Sequence, residues 1–343
     1  MVGLYRTNVL VLPFLFRVIA FSHQASLYKG DKSKDKSVNG SSELPKGLEC
    51  VNAFPLHDFL CSPFDHVTFI HASLQETWAR CYHRITQALL EAVKSEEPGR
   101  DRLLQTAIRW YAGAPQILLR RGEIGPRLQL FLSEEYDILI KNWAKDAEKQ
   151  MARRRPSQPD TPQRRLNQCL SFLGKGHLRR GLRILEGLGR TPSEDADVQE
   201  QMAAKHPVGS GPFEPRETED PPPDVSLMET LLAQTDPLAG VGTRGFRPGH
   251  FKCLTQGHFH HEEAKEAEKT WEDFGKALVG GRFPRWLTRS LNAGLITPLV
   301  KKPPAEGQTP DARPTNARDA DVTLPLKAIQ RKATPALRRL VGP

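Results

Sequence analysis

The stretch Ser73-Leu-Gln-Glu-Thr-Trp78-Ala-Arg-Cys81-Tyr-His-Arg-Ile85-Thr-Gln-Ala-Leu89-Leu-Glu-Ala-Val93 places Leu74, Trp78, Cys81, Ile85, Leu89 and Val93 at spacings of three and four. That recurrence draws one apolar stripe along a helix of period 3.6, and Glu96 to Gly99 ends it. A second helix is expected from about Arg100, with Leu103, Ala107, Trp110, Tyr111 and Ala114 on one side. It should stop at Pro115, with Gln116 to Leu119 continuing the apolar surface. Tyr136, Ile140 and Trp143 mark a third helix, whose end turns basic at Lys149. Aromatic residues on such stripes are read as packing, not as a binding surface. These patterns set the fold class as mainly α with disordered linkers, plus a small incomplete α+β fragment at the C-terminus.

Composition agrees with several modest cores. The chain has 343 residues, enough for two domains. Only 38% of them are hydrophobic, below the usual range, while 28 Pro and 26 Gly make up nearly a sixth of the chain. Residues 1–45 read as an apolar N-terminal extension and a linker, 46–150 as a helical region and 151–205 as a basic short-helix region. Residues 206–235 read as a proline-rich linker and 236–343 as a C-terminal unit. Arg6 ahead of the apolar run Val9 to Phe16 mimics an export signal, but Arg17 interrupts it and Ser22-His-Gln-Ala is a poor cleavage site. The span is short for a bilayer crossing. The expectation is therefore a nuclear or cytoplasmic protein, not a secreted one, with no membrane partner. Five scattered cysteines without a Cys-x-x-Cys fit a reducing compartment and no cysteine zinc site.

The charge is focused. Net charge is +9, and between Lys149 and Arg190 eleven Lys/Arg face only Asp160 and Glu186. That stretch alone accounts for the whole excess. Arg153, Arg154, Arg155, Arg164, Arg165, Lys175, Arg179, Arg180 and Arg183 are the candidate phosphate contacts, since counterion release favours DNA or RNA at such a patch with little sequence preference. Three short helices are expected here. Arg164 to Leu173 carries Leu166, Leu170 and Leu173 in phase and is closed by Gly174-Lys-Gly176 as a left-handed stop. His177 to Leu188 would hold Leu178, Leu182, Leu185 and Leu188 inside with its arginines outside, and Ser193 to Lys205 follows. A helix-turn-helix reader is one reading, but the last helix carries Glu194, Asp195, Asp197 and Glu200, the wrong sign for a groove. The alternative to nucleic acid is a helical interaction protein whose basic helices dock an acidic protein partner.

The last hundred residues carry a second pattern. Phe283-Pro-Arg-Trp-Leu-Thr-Arg-Ser-Leu-Asn-Ala-Gly-Leu-Ile-Thr-Pro-Leu-Val-Lys301-Lys302 reads as helix, short apolar strand and paired lysines. Asp311-Ala-Arg-Pro-Thr-Asn-Ala then gives a fixed turn before a basic helix that runs to Arg339. A strand pairing across the intervening loop would let Lys301, Lys302 and Arg313 converge on a phosphate-sized anion. A lone ribbon needs cover, which Trp271, Phe274, Leu278, Trp286 and Leu287 are expected to supply.

This arrangement resembles the start of the fingers of a retroelement reverse transcriptase of non-LTR type. Gly242-Thr-Arg-Gly-Phe-Arg-Pro-Gly-His-Phe-Lys-Cys-Leu resembles the Gly-x-x-Gly-x-x-x-x-His-Leu segment that opens that family's domain. Ala107-Ile-Arg-Trp-Tyr-Ala-Gly-Ala-Pro-Gln-Ile-Leu-Leu-Arg and Gly176-His-Leu-Arg-Arg-Gly-Leu-Arg-Ile-Leu resemble its leader. Thr315 stands where the family's turn has Ile. The likeness implies that residues 236–343 are a partial fingers-like region and that its basic residues touch nucleotide phosphates or template. The family's two-metal chemistry comes from a palm strand and an aromatic-x-Asp-Asp turn further on. Neither occurs in these residues, so the resemblance implies a truncated element with no catalytic residues, no cofactor and no polymerase activity.

Other chemistries find no support in the sequence. His250, Cys253, His258, His260 and His261 crowd together, but without the spacing of a zinc site. No Gly-x-Ser-x-Gly elbow and no Gly-x-x-x-x-Gly-Lys-Ser/Thr loop occurs.

Overall fold

The computed structural model describes residues 47–60, 64–152, 161–174, 178–186, 196–205, 228–236, 242–255, 259–292, 295–300 and 311–341. Helix accounts for 76% of the described residues, so the protein is mainly α. A 3-10 turn (Leu48–Ala53) leads into α1 (Leu56–Leu60), α2 (Ala72–Lys94), α3 (Arg100–Leu118), α4 (Ile124–Leu132) and α5 (Tyr136–Ala152). Three short helices follow, α6 (Pro162–Leu173), α7 (Leu178–Leu185) and α8 (Ala196–Lys205), and then α9 (Met228–Gln234). The C-terminal part contains α10 (Pro248–Lys252), α11 (Glu262–Lys265), α12 (Ala267–Val279), α13 (Arg285–Asn292), β1 (Leu295–Val300), β2 (Ala312–Ala317) and α14 (Ala320–Val341). The N-terminal apolar run and residues 206–227 of the expected 206–235 linker lie outside the described residues, while Met228–Gln234 of that expected linker is helical, with Leu232 in the core. No helix among the described residues is long and apolar enough to cross a membrane.

The hub is α2, with α3, α4, α11 and α12 packed around it. Its stripe behaves as its spacing dictates: Trp78, Cys81, Ile85, Leu89 and Val93 are buried and Leu74 is half-buried. Trp78 Nε1 donates to the His250 carbonyl at 2.9 Å, tying the first half of the chain to the second. Glu263 adds a charged tie, accepting from Arg80 at 3.1 Å and from Arg84 at 2.8 and 3.2 Å. Tyr136, Ile140 and Trp143 of α5 are buried as expected, and Trp143 stacks on Phe59 at 4.8 Å between ring centroids.

Three expectations are corrected here. First, α3 does not stop at Pro115 but runs through it to Leu118. Proline removes one N–H and crowds the carbonyl four residues back, at a cost of roughly 3 kcal/mol. Around it Trp110, Tyr111, Ile117 and Leu118 are all buried, and each large apolar side chain contributes about 1.5–3 kcal/mol. Packing wins.

Second, Leu178, Leu182 and Leu185 of α7, expected inside, are exposed, as are the in-phase leucines of α6; Leu188 lies outside the described residues. Leu166, Leu170, Leu173, Leu178, Leu182 and Leu185 are 38–60% exposed. The two helices pack chiefly on each other, with Cys169 buried between them. Thr161 caps α6 by accepting from the Arg164 N–H at 3.3 Å, with Pro162 in the first turn. Gly174 after α6 is right-handed (φ −59°, ψ −17°), not the left-handed stop its identity suggested.

Third, the ribbon has a different cover. β1 and β2 pair antiparallel, with Leu299 opposite Arg313 and Pro298 opposite Pro314. The helix against β2 is the acidic α8. Trp271, Phe274, Leu278 and Leu287 are buried in the helical core instead, where Phe274 stacks on Tyr111 and Trp271 on Phe251. Trp286 is 40% exposed.

Candidate functional site

The segment Gly242 to Leu254 threads between α1–α2 and α14, and its glycines explain how it fits. A β-carbon on Gly242 would lie 2.5 Å from the Asp319 backbone nitrogen and carboxylate. Gly245 has φ +100°, and a β-carbon there would lie 2.2 Å from the His66 ring. Side chains tolerate neither the contact nor that backbone region. The chain then enters α10 at Arg247, whose N–H donates to His250 Nδ1 at 3.2 Å. That bond makes Nδ1 an acceptor, so Nε2 carries the proton shared with the Val67 carbonyl at 2.7 Å. Burial holds both rings neutral, lowering His66 to about 4 and His250 to about 3, and the charge of Arg247 adds to both.

Close packing brings Arg244 into a cluster with no exposed side chain. Its guanidinium meets Asp321 with two bonds, at 2.6 and 2.9 Å, and its Nε lies 3.4 Å from Asp319. The Asp319 carboxylate also accepts from the N–H groups of Gly245 and Phe246 at 2.9 Å each and of Arg244 at 3.2 Å. The Tyr111 hydroxyl donates to Asp321 at 2.8 Å, and the guanidinium lies over the Tyr111 and Phe246 rings. Asp319 immediately precedes α14, and its carbonyl accepts the helix's first bonds from Val322 and Thr323. Its side chain meanwhile caps the opposing loop. Burial pushes the Asp319 carboxyl up, against the pull of Arg244. Burial alone would lower Arg244, but Asp321 and Asp319 together hold it above the ordinary arginine value. With its charge neutralised and its faces covered, Arg244 has nothing to offer a ligand. The cluster is a clasp between two segments.

The candidate nucleic-acid contacts fall on two separate elements. Arg164 and Arg165 stand in the first turns of α6 and Arg183 in α7, so one helical hairpin carries all three, with Arg179 and Arg180 also in α7. Arg313 stands in β2, away from that hairpin in the chain. Arg153, Arg154, Arg155, Lys175, Lys301 and Lys302 lie outside the described residues.

The histidine-rich segment has other work. His250 is held by Val67 and Arg247, the Cys253 thiol donates to the His250 carbonyl at 3.1 Å, and the N–H groups of His260 and His261 both donate to Glu76. His258 lies outside the described residues. Among the described residues no group of three or more His, Cys, Asp or Glu is arranged to hold a metal ion.

A cavity of about 360 Å³ opens between α2, α3 and α5, with Trp110 and Tyr136 at its floor and Glu91 and Glu134 exposed at its rim. Its cation, Arg84, is engaged by Glu263, which makes it a poor phosphate site.

Neither Arg244 and its two aspartates nor this cavity stood out in the sequence. The available signal was Arg244 set between a glycine-flanked threonine and a second glycine, and Asp-x-Asp at the head of a helix. No protein-family model, no curated protein and no solved structure matches the chain.

Proposed function

We propose that the chain is related to the leader and opening fingers of retroelement reverse transcriptases, and that it holds nucleic acid on its basic helices without performing polymerisation. What supports the reading is that the segments bearing the likeness are joined to one another. Gly242 to Leu254 is clasped through Arg244 to Asp319 and Asp321, just after strand β2, in which Arg313-Pro314 runs as strand and not as the expected turn, and β2 pairs with the Leu295–Val300 strand. The cluster joins the Gly242 segment, through Arg244, to the head of α14 and to Tyr111 of the Ala107 segment, which bears part of the same likeness. The hairpin supplies Arg164, Arg165 and Arg183 with a single acid, Glu186, among its described residues. Phosphate backbones reward that imbalance through counterion release. Polymerisation needs paired aspartates to clamp two metals, and no aromatic-x-Asp-Asp turn occurs in these 343 residues.

The test is a salt titration of oligonucleotide binding, with primer extension alongside. Single- and double-stranded probes should bind with little sequence preference, and affinity should fall steeply as salt rises. Replacing Arg164, Arg165 and Arg183 with Gln should flatten the log–log slope by about 0.9 for each duplex phosphate no longer neutralised. Neither Mg²⁺ nor Mn²⁺ should support primer extension. No binding at low ionic strength, or an affinity indifferent to salt, would sink the nucleic-acid reading, and template-directed incorporation would sink the non-catalytic one.

A further inference from the structure

The cavity between α2, α3 and α5 has a lining that asks for a partner of definite chemistry. Its volume of about 360 Å³ falls within the roughly 300–1,000 Å³ of small-molecule sites. One wall is aromatic: Trp110, Phe131 and Tyr136 pack edge to face with ring centroids 5.3–5.4 Å apart, and none is more than 2% exposed. Trp110 gives its N–H to the Leu48 carbonyl at 2.8 Å. The Tyr136 hydroxyl makes no hydrogen bond among the described residues, although a buried tyrosine ordinarily finds a partner. Glu134, in the turn between α4 and α5, lines the same cavity at φ +62°, the sole non-glycine residue with positive φ among those described. Glycine or asparagine would sit there with less strain, so a carboxylate is held at this rim against the backbone's own preference. Burial and then the Glu134 charge push the Tyr136 hydroxyl up to about 12, which sets hydroxyl and carboxylate at one end of the cavity.

Charge gives the ligand its sign. Glu91 adds a second exposed carboxylate to the rim. Burial lowers His83, so that ring brings no positive charge at neutral pH. Arg84 is held by Glu263, which also takes Arg80. Two arginines against three glutamates leave this neighbourhood one charge negative, although the chain as a whole carries +9. We propose that the cavity binds a small aralkyl amine, its ring against Trp110 and Phe131 and its ammonium donating to the Tyr136 hydroxyl oxygen and the Glu134 carboxylate. An anion would meet two rim carboxylates. A neutral apolar molecule would cover the wall but leave the hydroxyl and Glu134 unmatched. A bare metal ion would lack ligands, since no group of three or more His, Cys, Asp or Glu is arranged for one among the described residues. The site shares no residue with the basic hairpin, so the inference is independent of the nucleic-acid reading.

The experiment titrates the full chain with phenethylamine by calorimetry. Phenylethanol, which lacks the charge, phenylpropionate, which reverses it, and the amide of Phe-Gly-Gly, which carries the same ammonium on a peptide, serve as comparisons. Phenethylamine should bind saturably, and the other three at least about tenfold more weakly, the effect of losing one charge-assisted contact or of exceeding the cavity. Tyr136→Phe should weaken amine binding by about fivefold, the size of one hydrogen bond, and leave the urea midpoint unchanged. Glu134→Gly should weaken it by about tenfold yet raise the midpoint, because glycine relieves the left-handed strain. Ala88→Phe, at a half-buried position on the cavity wall, should fill the space and abolish binding. No saturable binding, equal binding of amine, alcohol and carboxylate, or native-like affinity in any of the three variants overturns the proposal. Tighter binding of the peptide than of the amine would assign the cavity to a chain terminus and overturn it as well.

Discussion

The Arg244 guanidinium and the Asp321 carboxylate stand 77 positions apart in the chain and meet through bonds of 2.6 and 2.9 Å, with neither side chain exposed. Removing two charges from water costs several kcal/mol per ion, which the pair recovers only through close geometry and additional donors. Tyr111 supplies one such donor to Asp321, and three backbone N–H groups supply the neighbouring Asp319. The cluster's value is therefore positional: it dictates where the opening segment docks on α14.

Breaking the pair from one side should be severe. Arg244→Met leaves two buried carboxylates facing each other, and Asp321→Leu leaves a buried guanidinium short of its main partner. Each should destabilise by about 3–5 kcal/mol. The double variant should recover much of that loss, because no uncompensated charge of the pair remains. Urea unfolding of the three variants checks this, and strictly additive losses would show that the pair is not a coupled unit.

Gly245→Ala should be costly although it adds a single methyl. The position combines φ +100° with a β-carbon 2.2 Å from the His66 ring. Left-handed backbone strain alone is of order 1 kcal/mol or more, and the ring has no room to retreat in a buried site. A midpoint shift equivalent to more than about 2 kcal/mol is expected, against a fraction of that at Gly99. Gly99 also has positive φ but meets nothing within 4 Å. Equal losses at the two positions would mean that the His66 contact contributes nothing.

Acid should loosen the same region. His66 and His250 are held at about 4 and about 3, both below the ordinary 6.5. A histidine with a depressed folded pKa contributes stability that is present above 6.5 and lost as pH falls toward the folded value. Between 6.5 and about 4 both histidines act together, each at roughly 1.4 kcal/mol per pH unit. Asp319, whose carboxyl is raised by burial, works in the opposite sense near the carboxylate range and blunts the lower end. Urea midpoints taken across this window should fall with pH, and His66→Gln should remove about half of the slope. A flat profile would refute the neutral burial of these rings.

What the sequence disclosed depended on how local the cause was. The α2 stripe was legible because burial recurs with the helical period, so Trp78 through Val93 declare one another. Pro115 misled because its local penalty was visible while the compensating burial, brought from distant segments, was not. The leucines of α6 and α7 misled differently. Their spacing correctly gives a helix, but spacing cannot say whether another element arrives to cover the stripe. Arg244 and its aspartates were invisible for a third reason: their meaning lies in a pairing across 77 positions, and no period or local motif encodes such a distance.

The contrast between covered and uncovered elements sets the last prediction. β1 and β2 form an isolated two-stranded ribbon among the described residues, and such a ribbon is marginal in water without a covering layer. Its ladder pairs Pro298 with Pro314, so two of its residues have no N–H to donate. The aromatic residues expected to cover it are buried elsewhere, and the helix it does meet, α8, contributes only Val198 as a fully buried apolar side chain. α2, by contrast, is surrounded by four helices and holds ten buried residues along its length. Local opening should therefore cost little in the ribbon and approach the global unfolding free energy in α2. Native-state hydrogen exchange should find the amides of Ile296, Leu299 and Ala312 exchanging orders of magnitude faster than those of Tyr82, Ile85 and Leu89. Comparable protection in the two sets would show that the ribbon is stabilised as strongly as the helical core, and the account of its cover would fail.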